Sequence, residues 1–139
     1  MQFDKSKHQD MPHFTYLGVT PSLNEYLAST GRHPKAGNNM KQTFMRDLSW
    51  CIRKDLKRWH TEKPVITHYI VYEPNKKRDH DNTIAVILKY VHDALQVCGV
   101  IDNDGWANVV NFTHDFYIDK DNPRVEVYIE EIENGGEDL

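Results

Sequence analysis

The sequence predicts an α/β (α+β) domain in which a single mixed sheet of about four strands carries two helices on one face, in the order β-α-β-α-β-β. Three observations predict this fold. Four short segments are rich in β-branched and aromatic residues, two longer segments repeat apolar residues at three- and four-residue steps, and the two kinds of segment alternate. Because 139 residues is the length of one domain, we expect a single domain over residues 1–139, with flexible tails at 1–12 and 133–139.

The first half of the chain predicts a strand, a loop and a helix. Residues 13–19 (HFTYLGV) have the composition of a strand. Residues 29–39 (STGRHPKAGNN) are rich in turn formers and predict an exposed loop. Apolar residues then recur at helical spacing, which predicts an amphipathic helix over about residues 40–60.

The second half predicts a strand, a helix and two further strands. Residues 65–72 (VITHYIVY) form a near-continuous β-branched and aromatic run, which is typical of a buried strand. Asn82 begins a second helix that ends at Gly99. Residues 109–118 and 124–132 alternate in polarity, and the short connection DKDNP between them favours an antiparallel hairpin.

The formal net charge of −4 conceals a separation of charge along the chain. Residues 32–78 contain 12 lysines and arginines and 4 acids, whereas residues 79–139 contain 3 and 14. The basic segment predicts a polyanionic partner, although two solvated faces of opposite charge would explain the same pattern. The cations that we expect to contact DNA phosphates are Arg32, Lys35, Arg46, Arg53, Lys57, Lys76, Lys77 and Arg78.

The composition argues against several classes of protein. No apolar run approaches the roughly 20 residues of a membrane span, and the start of the chain is polar where a secretory signal would be apolar. Cys51 and Cys98 belong to no CxxC pair, so we expect neither a disulfide framework nor a cysteine-based zinc site. These features predict a cytoplasmic protein without a membrane partner.

Two carboxylates lie two residues apart where the second strand-to-helix junction is expected. Asp79 and Asp81 would point the same way on an extended backbone, and two such charges need a counter-cation. Mg²⁺ suits them because it accepts one or two carboxylates and keeps water ligands. A third ligand would come from Asp102 or Asp104 in the loop GVIDNDGW. The alternative is that Asp79 and Asp81 only stabilise the start of the helix.

Lys89 lies seven residues after Asn82 and therefore shares its helix face. An ammonium group there would stabilise the charge that builds on a phosphoryl group during attack by water. Pairing of Lys89 with Asp93 at the i,i+4 spacing is the alternative interpretation.

The segments RDHDN, a helix ending in DAL, and GVIDNDGW together resemble the RusA family of Holliday-junction endonucleases, many of them encoded by phages. The earlier segment PSLNEY is also similar, so the resemblance extends over about residues 14–131. It implies a small α/β homodimer in which Asp79, Asp81 and Asp104 bind Mg²⁺ and Lys89 assists phosphodiester hydrolysis. Many relatives carry an apolar residue or proline in place of His80, which leaves a metal-binding role for this histidine open.

We therefore expect a Mg²⁺-dependent endonuclease, with Mn²⁺ as a substitute, that resolves four-way DNA junctions in recombination and repair in a bacterium or a phage-infected cell. An alternative is a catalytically inactive accessory protein that binds branched DNA and uses the aspartates as helix caps. A third interpretation is a protein-interaction module that acts through the acidic tail.

Overall fold

The computed structural model describes residues 3–32 and 34–133, with the backbone alone at positions 29, 30, 32, 34, 36 and 37. A 3-10 turn at Lys5–Lys7 precedes the first strand. The remaining elements are β1 (His13–Leu17), α1 (Leu23–Arg32), α2 (Pro34–Leu56), β2 (Val65–Glu73), α3 (His80–Val97), β3 (Val109–Ile118) and β4 (Arg124–Glu131).

The strands form one mixed four-stranded sheet in the order β1-β4-β2-β3, which confirms the predicted fold class. β4 pairs antiparallel with both β1 and β2. Among the strands of the described residues, β3 pairs with β2 alone and runs parallel to it, because α3 returns the chain to the end of the sheet where β2 begins. The predicted antiparallel hairpin of residues 109–118 and 124–132 is therefore wrong. The DKDNP connection passes over the end of β2, where the Asp119 N–H donates to the Glu73 carbonyl (2.8 Å).

The main core lies between one face of the sheet and the helices. Alternate residues of β2 and β4, among them Tyr69 and Val127, pack against apolar residues of α2 and α3 such as Ile52 and Ile87. All four are at most 1% exposed. The prediction of two helices on one face is thus confirmed for α2 and α3. No helix in residues 3–32 or 34–133 is long and apolar enough to cross a membrane.

Residues 29–32 and 34–39 are helical and do not form the loop that we predicted for 29–39. They include the end of α1 and the beginning of α2, whose first residue is Pro34. Proline suits this position because the first turn of a helix needs no N–H donor and proline already has a helical φ. α1 itself was missed, although the Glu25 N–H donates to the Ser22 hydroxyl (3.2 Å) in the manner of a helix N-cap.

The segment before β1 lies against the face of the sheet opposite the helices. Phe3 stacks on His68 with ring centroids 4.1 Å apart, and Lys5 pairs with Glu126 at 2.7 Å. Residues 3–12 therefore make the contacts of a packed segment, where the sequence predicted a flexible tail. Most of the predicted C-terminal tail, residues 134–139, lies outside the described part of the chain.

Candidate metal and DNA site

The two predicted ligands at the start of α3 are both exposed, and within the described residues neither forms an ion pair. Asp79 precedes the helix in an extended conformation (φ −75°, ψ 142°), and its side chain makes no capping hydrogen bond. Its backbone carbonyl accepts the N–H and the hydroxyl of Thr83, each at 3.2 Å. The Asp79 carboxylate thus forms no capping hydrogen bond, and a favourable interaction with the helix dipole does not need one.

Asp81 differs from Asp79 because it lies in the first turn of α3. One of its carboxylate oxygens accepts the N–H of Asn82 at 3.0 Å, which leaves the other oxygen for a cation. The assumption of an extended backbone across both aspartates therefore holds for Asp79 only. The donors are nevertheless the hard oxygens that Mg²⁺ prefers, and a pair of carboxylates matches the number that it takes from a protein.

His80, between the two aspartates, stacks on a residue of the edge strand. Its imidazole is 3.9 Å from the phenyl ring of Phe116, with the planes inclined by 4°. The start of α3 is thereby fixed over β3. A ring-packing contact accounts for His80 without a metal ligand role.

Arg78 has a structural role that the sequence did not predict. Its guanidinium pairs with Glu73 (2.8 Å) and Glu25 (3.1 Å) and donates to the Thr20 carbonyl. These contacts join the loop before Asp79 to the end of β2 and the start of α1. With 18% of its side chain exposed, Arg78 holds the loop in position and is occupied by protein acceptors instead of phosphates.

Lys89 lies farther along α3 than the two aspartates. Eight residues separate it from Asp81, which is about 12 Å along a helix axis. Its ammonium group is 4.0 Å from the carboxylate of Asp93. The structure therefore contains the i,i+4 pair of the alternative interpretation, and within this chain it does not place Lys89 beside Asp81.

Asp104 lies at the other end of the β2-α3-β3 unit. The loop that carries it is joined to the beginning of β2, where the Val65 N–H donates to the Asn108 carbonyl (2.8 Å), whereas Asp79 follows the end of β2. Asp104 lines a pocket with His92, Trp106 and Phe112.

This position separates Asp104 from the start of α3. His92 is 12 residues after His80, or about 18 Å along the helix. Burial lowers the pKa of His92, although the nearby Asp104 and Asp93 carboxylates act to raise it. The three predicted metal ligands accordingly do not form a common group within one chain.

A different group of three side chains in the described residues could hold a metal ion. Ligand atoms of His60, Glu62 and Asp102 lie within 4.8 Å of one another, and all three residues are exposed. His60 Nδ1 is 2.7 Å from the Gly99 carbonyl, and its Nε2 is 3.9 Å from Asp102. Asp102, the alternative third ligand, therefore faces His60. The sequence did not predict the His60-Thr61-Glu62 segment as a source of ligands.

Four of the predicted phosphate-binding cations form two pairs. Lys76 and Lys77 are exposed in the loop that leads to Asp79. Arg53 and Lys57 line a pocket with Cys98 near the ends of α2 and α3. Of the remaining candidates, Arg46 lies 3.6 Å from Asp47 and Lys35 is exposed, while the side chain of Arg32 lies outside the described part of the chain.

Comparison with known proteins adds no relative to these observations. No family model matches the chain, and no curated protein sequence is significantly similar to it. The resemblance to the RusA family accordingly remains a prediction from the short motifs.

Proposed function

We propose that the protein is a Mg²⁺-dependent DNA endonuclease that cleaves branched junctions, with Mn²⁺ as an alternative ion. The single observation that carries this proposal is the pair of exposed carboxylates at the start of α3, because Asp79 serves neither as a side-chain cap nor in an ion pair within the described residues. Asp79 and Asp81 would hold the ion. When bound, Mg²⁺ would activate water and stabilise the charge on the phosphate under attack.

The residues around this pair support contact with a nucleic acid. Lys76 and Lys77 are exposed immediately before Asp79, so they would attract a phosphate backbone to the carboxylates. Arg78 would keep the loop fixed through Glu73 and Glu25. Lys89 lies about 12 Å along the helix axis from Asp81, so it would assist hydrolysis only if it left Asp93 and the bound phosphate backbone extended along α3. We propose that the substrate is a four-way junction processed in recombination and repair inside the cell, by a homodimer whose two sites would make the two cuts.

A second candidate function is that of a non-catalytic accessory protein that binds branched DNA. The observation that favours it is the distance of Asp104 from Asp79 and Asp81 within one chain. In that case Lys76 and Lys77 would bind phosphates and the aspartates would only stabilise the start of α3 through its dipole.

Cleavage of a synthetic four-way junction in Mg²⁺ separates the two functions. We expect the wild type and Asp121→Asn, an exposed aspartate at the same end of the sheet, to cleave the junction in preference to linear duplex. Asp81→Asn should bind the junction without cleaving it. Equal cleavage by Asp81→Asn and the wild type would overturn the proposal. Junction binding by a wild type that never cleaves would favour the accessory protein.

A further inference from the structure

One imidazole and two carboxylates meet where two loops lie side by side near the end of α3. His60 and Glu62 lie between α2 and β2, and Asp102 follows α3. One ligand atom from each side chain lies within 4.8 Å of the others. Among the described residues, neither carboxylate pairs with a lysine or an arginine. The two negative charges therefore have no fixed cationic partner in this part of the chain.

The ring of His60 is oriented as it is in metal-binding histidines. Its Nδ1 lies 2.7 Å from the Gly99 carbonyl, which can only accept, so Nδ1 donates a proton there. The neutral ring then presents an unprotonated Nε2, which lies 3.9 Å from a carboxylate oxygen of Asp102. Two acceptors cannot form a hydrogen bond with each other, but both can bind one cation. Histidines that bind metals usually fix their second nitrogen on a carbonyl or a carboxylate in this way.

The backbone holds this arrangement in place. Gly99 has a φ of 74°, and the N–H groups of Gly99 and Val100 donate to carbonyls near the end of α3 at 3.0 and 2.9 Å. These are the two hydrogen bonds of a Schellman motif, and they fix the carbonyl that His60 contacts. The Thr61 N–H donates to the Val100 carbonyl (3.0 Å), which joins the two loops. Thr61 and Ile101 are buried, whereas the three ligand residues beside them are exposed.

The donor atoms favour Zn²⁺ over Mg²⁺. Imidazole nitrogen and carboxylate oxygen are ligands of Zn²⁺, whereas Mg²⁺ prefers oxygen ligands alone. Tetrahedral ligands at about 2.0–2.2 Å from Zn²⁺ lie about 3.4 Å apart, and exposed side chains can close the remaining gap by rotation. Three protein ligands leave the fourth position to water.

From this geometry we propose that His60, Glu62 and Asp102 form a Zn²⁺ site that is separate from the site at the start of α3. The helix has 18 residues and a length of about 27 Å, and Asp79 and Asp81 lie at its other end. The two ions therefore do not compete for ligands. This inference goes beyond the nuclease function and does not depend on it. Bound Zn²⁺ joins the segment before β2 to the segment after α3.

Calorimetric titration of the metal-free protein with Zn²⁺ tests the site. The titration is made in Asp81→Asn, which weakens ion binding at the start of α3 and so isolates the second site. We expect one Zn²⁺ per chain, and addition of His60→Ala or Asp102→Asn should weaken its binding by at least about tenfold. The matched controls His114→Ala and Asp121→Asn, at exposed positions outside the group, should leave the affinity within about twofold. Equal affinity in all five proteins would overturn the inference.

Two further measurements report on the ligands themselves. Zn²⁺ should raise the melting temperature of the wild type but not that of His60→Ala, while the metal-free melting temperatures of Asp102→Asn and the wild type should agree. In ¹⁵N spectra of the imidazole, Nδ1 should carry the proton without metal, and Zn²⁺ should shift the Nε2 signal. An Nε2 signal that Zn²⁺ leaves unchanged would overturn the inference.

Competition with Mg²⁺ tests the class of ion. Mg²⁺ in about 100-fold excess should not displace Zn²⁺ from the Asp81→Asn protein, because it binds imidazole poorly. Full displacement would overturn the assignment to Zn²⁺. Zn²⁺ binding that depends on His60, in a protein that does not cleave junctions, would support this site and overturn only the nuclease.

Discussion

The imidazole of His80 lies parallel to the phenyl ring of Phe116, with centroids 3.9 Å apart. This contact joins the first turn of α3 to the edge strand β3. It fixes the direction in which the helix begins, and with it the positions of Asp79 and Asp81 relative to the sheet.

Removal of either ring should weaken the attachment of α3 to β3. We expect Phe116→Ala, which truncates a half-buried ring, to lower the free energy of unfolding by about 1–3 kcal/mol. In a double-mutant cycle with His80→Ala, the coupling energy should be about 0.5–1.5 kcal/mol. Denaturant unfolding of the wild type, the two single variants and the double variant measures this coupling energy. His80→Phe should keep most of the stability, and strictly additive effects would contradict a direct contact.

Arg78 should matter for stability more than for DNA binding. Arg78→Ala leaves Glu73, which is 7% exposed, without its guanidinium partner. We expect the free energy of unfolding to fall by about 2–4 kcal/mol, and Arg78→Lys to recover only part of it because an ammonium group cannot make the paired hydrogen bonds. Thermal unfolding tests this, and Lys76→Ala, at an exposed neighbour, should change stability little.

Lys77 should affect DNA binding and not stability. If it contacts one phosphate, Lys77→Ala should weaken junction binding to a similar extent for different sequences and reduce the slope of log affinity against log salt by about one. Titrations at several salt concentrations give this slope. Lys7→Ala, an exposed lysine in the segment on the opposite face of the sheet, is the matched control and should leave the slope unchanged.

The contribution of Glu126 to stability should depend on pH. Burial raises its pKa, but hydrogen bonds from Lys5 (2.7 Å) and Arg124 (2.8 Å) lower it by more, so the net pKa lies below the ordinary 4.5. A group with a depressed pKa in the folded state stabilises the protein above its unfolded pKa, and this contribution is lost as the pH falls through the folded pKa.

We therefore expect Glu126→Gln to lower the free energy of unfolding by about 1–3 kcal/mol at neutral pH, and by progressively less below the unfolded pKa. Urea unfolding at a series of pH values measures the difference from the wild type. Glu133→Gln removes a surface pair with Lys63 and should have little effect throughout. A difference for Glu126→Gln that grows as the pH falls would contradict the proposed ion pairs.

Asp104 and Asp102 should differ in their effect on Mg²⁺-dependent cleavage. If Asp104 is the third ligand that the resemblance implies, Asp104→Asn should reduce the rate by at least tenfold, whereas Asp102 faces His60 and its substitution should leave the rate within about twofold of the wild type. Rates on one junction at saturating Mg²⁺ test this. The reverse order would place the functional ion at His60, Glu62 and Asp102.

The sequence predicted the elements whose side chains repeat regularly. β2 and α3 follow from the composition and apolar period of their residues, and the stop at Gly99 agrees with its positive φ of 74°. The start of α1 was also predictable from a short pattern, because Ser22 is followed three residues later by Glu25 and its hydroxyl accepts the Glu25 N–H. The pairing partner of β4 was not predictable, because the DKDNP connection gives no indication that it crosses the end of β2.

The candidate metal site was only partly predictable, again because strand pairing is not evident from local sequence. Neighbours in sequence, such as Asp79 and Asp81, are neighbours in space whatever the topology. The position of Asp104 depends on whether β3 runs parallel or antiparallel to β2, and that is decided by pairing across the whole sheet. A local pattern could therefore identify Asp104 as a candidate without placing it.

The central position of β2 has a consequence for hydrogen exchange. The strand is paired on both sides, and Tyr69, Ile70 and Val71 are at most 2% exposed. Its amide protons should be among the slowest in the domain to exchange with solvent, since their release requires the sheet to open as a whole. The loop that leads to Asp79 begins at the end of β2. Local unfolding of α1 or of the segment before β1 would therefore leave the start of this loop held by the sheet.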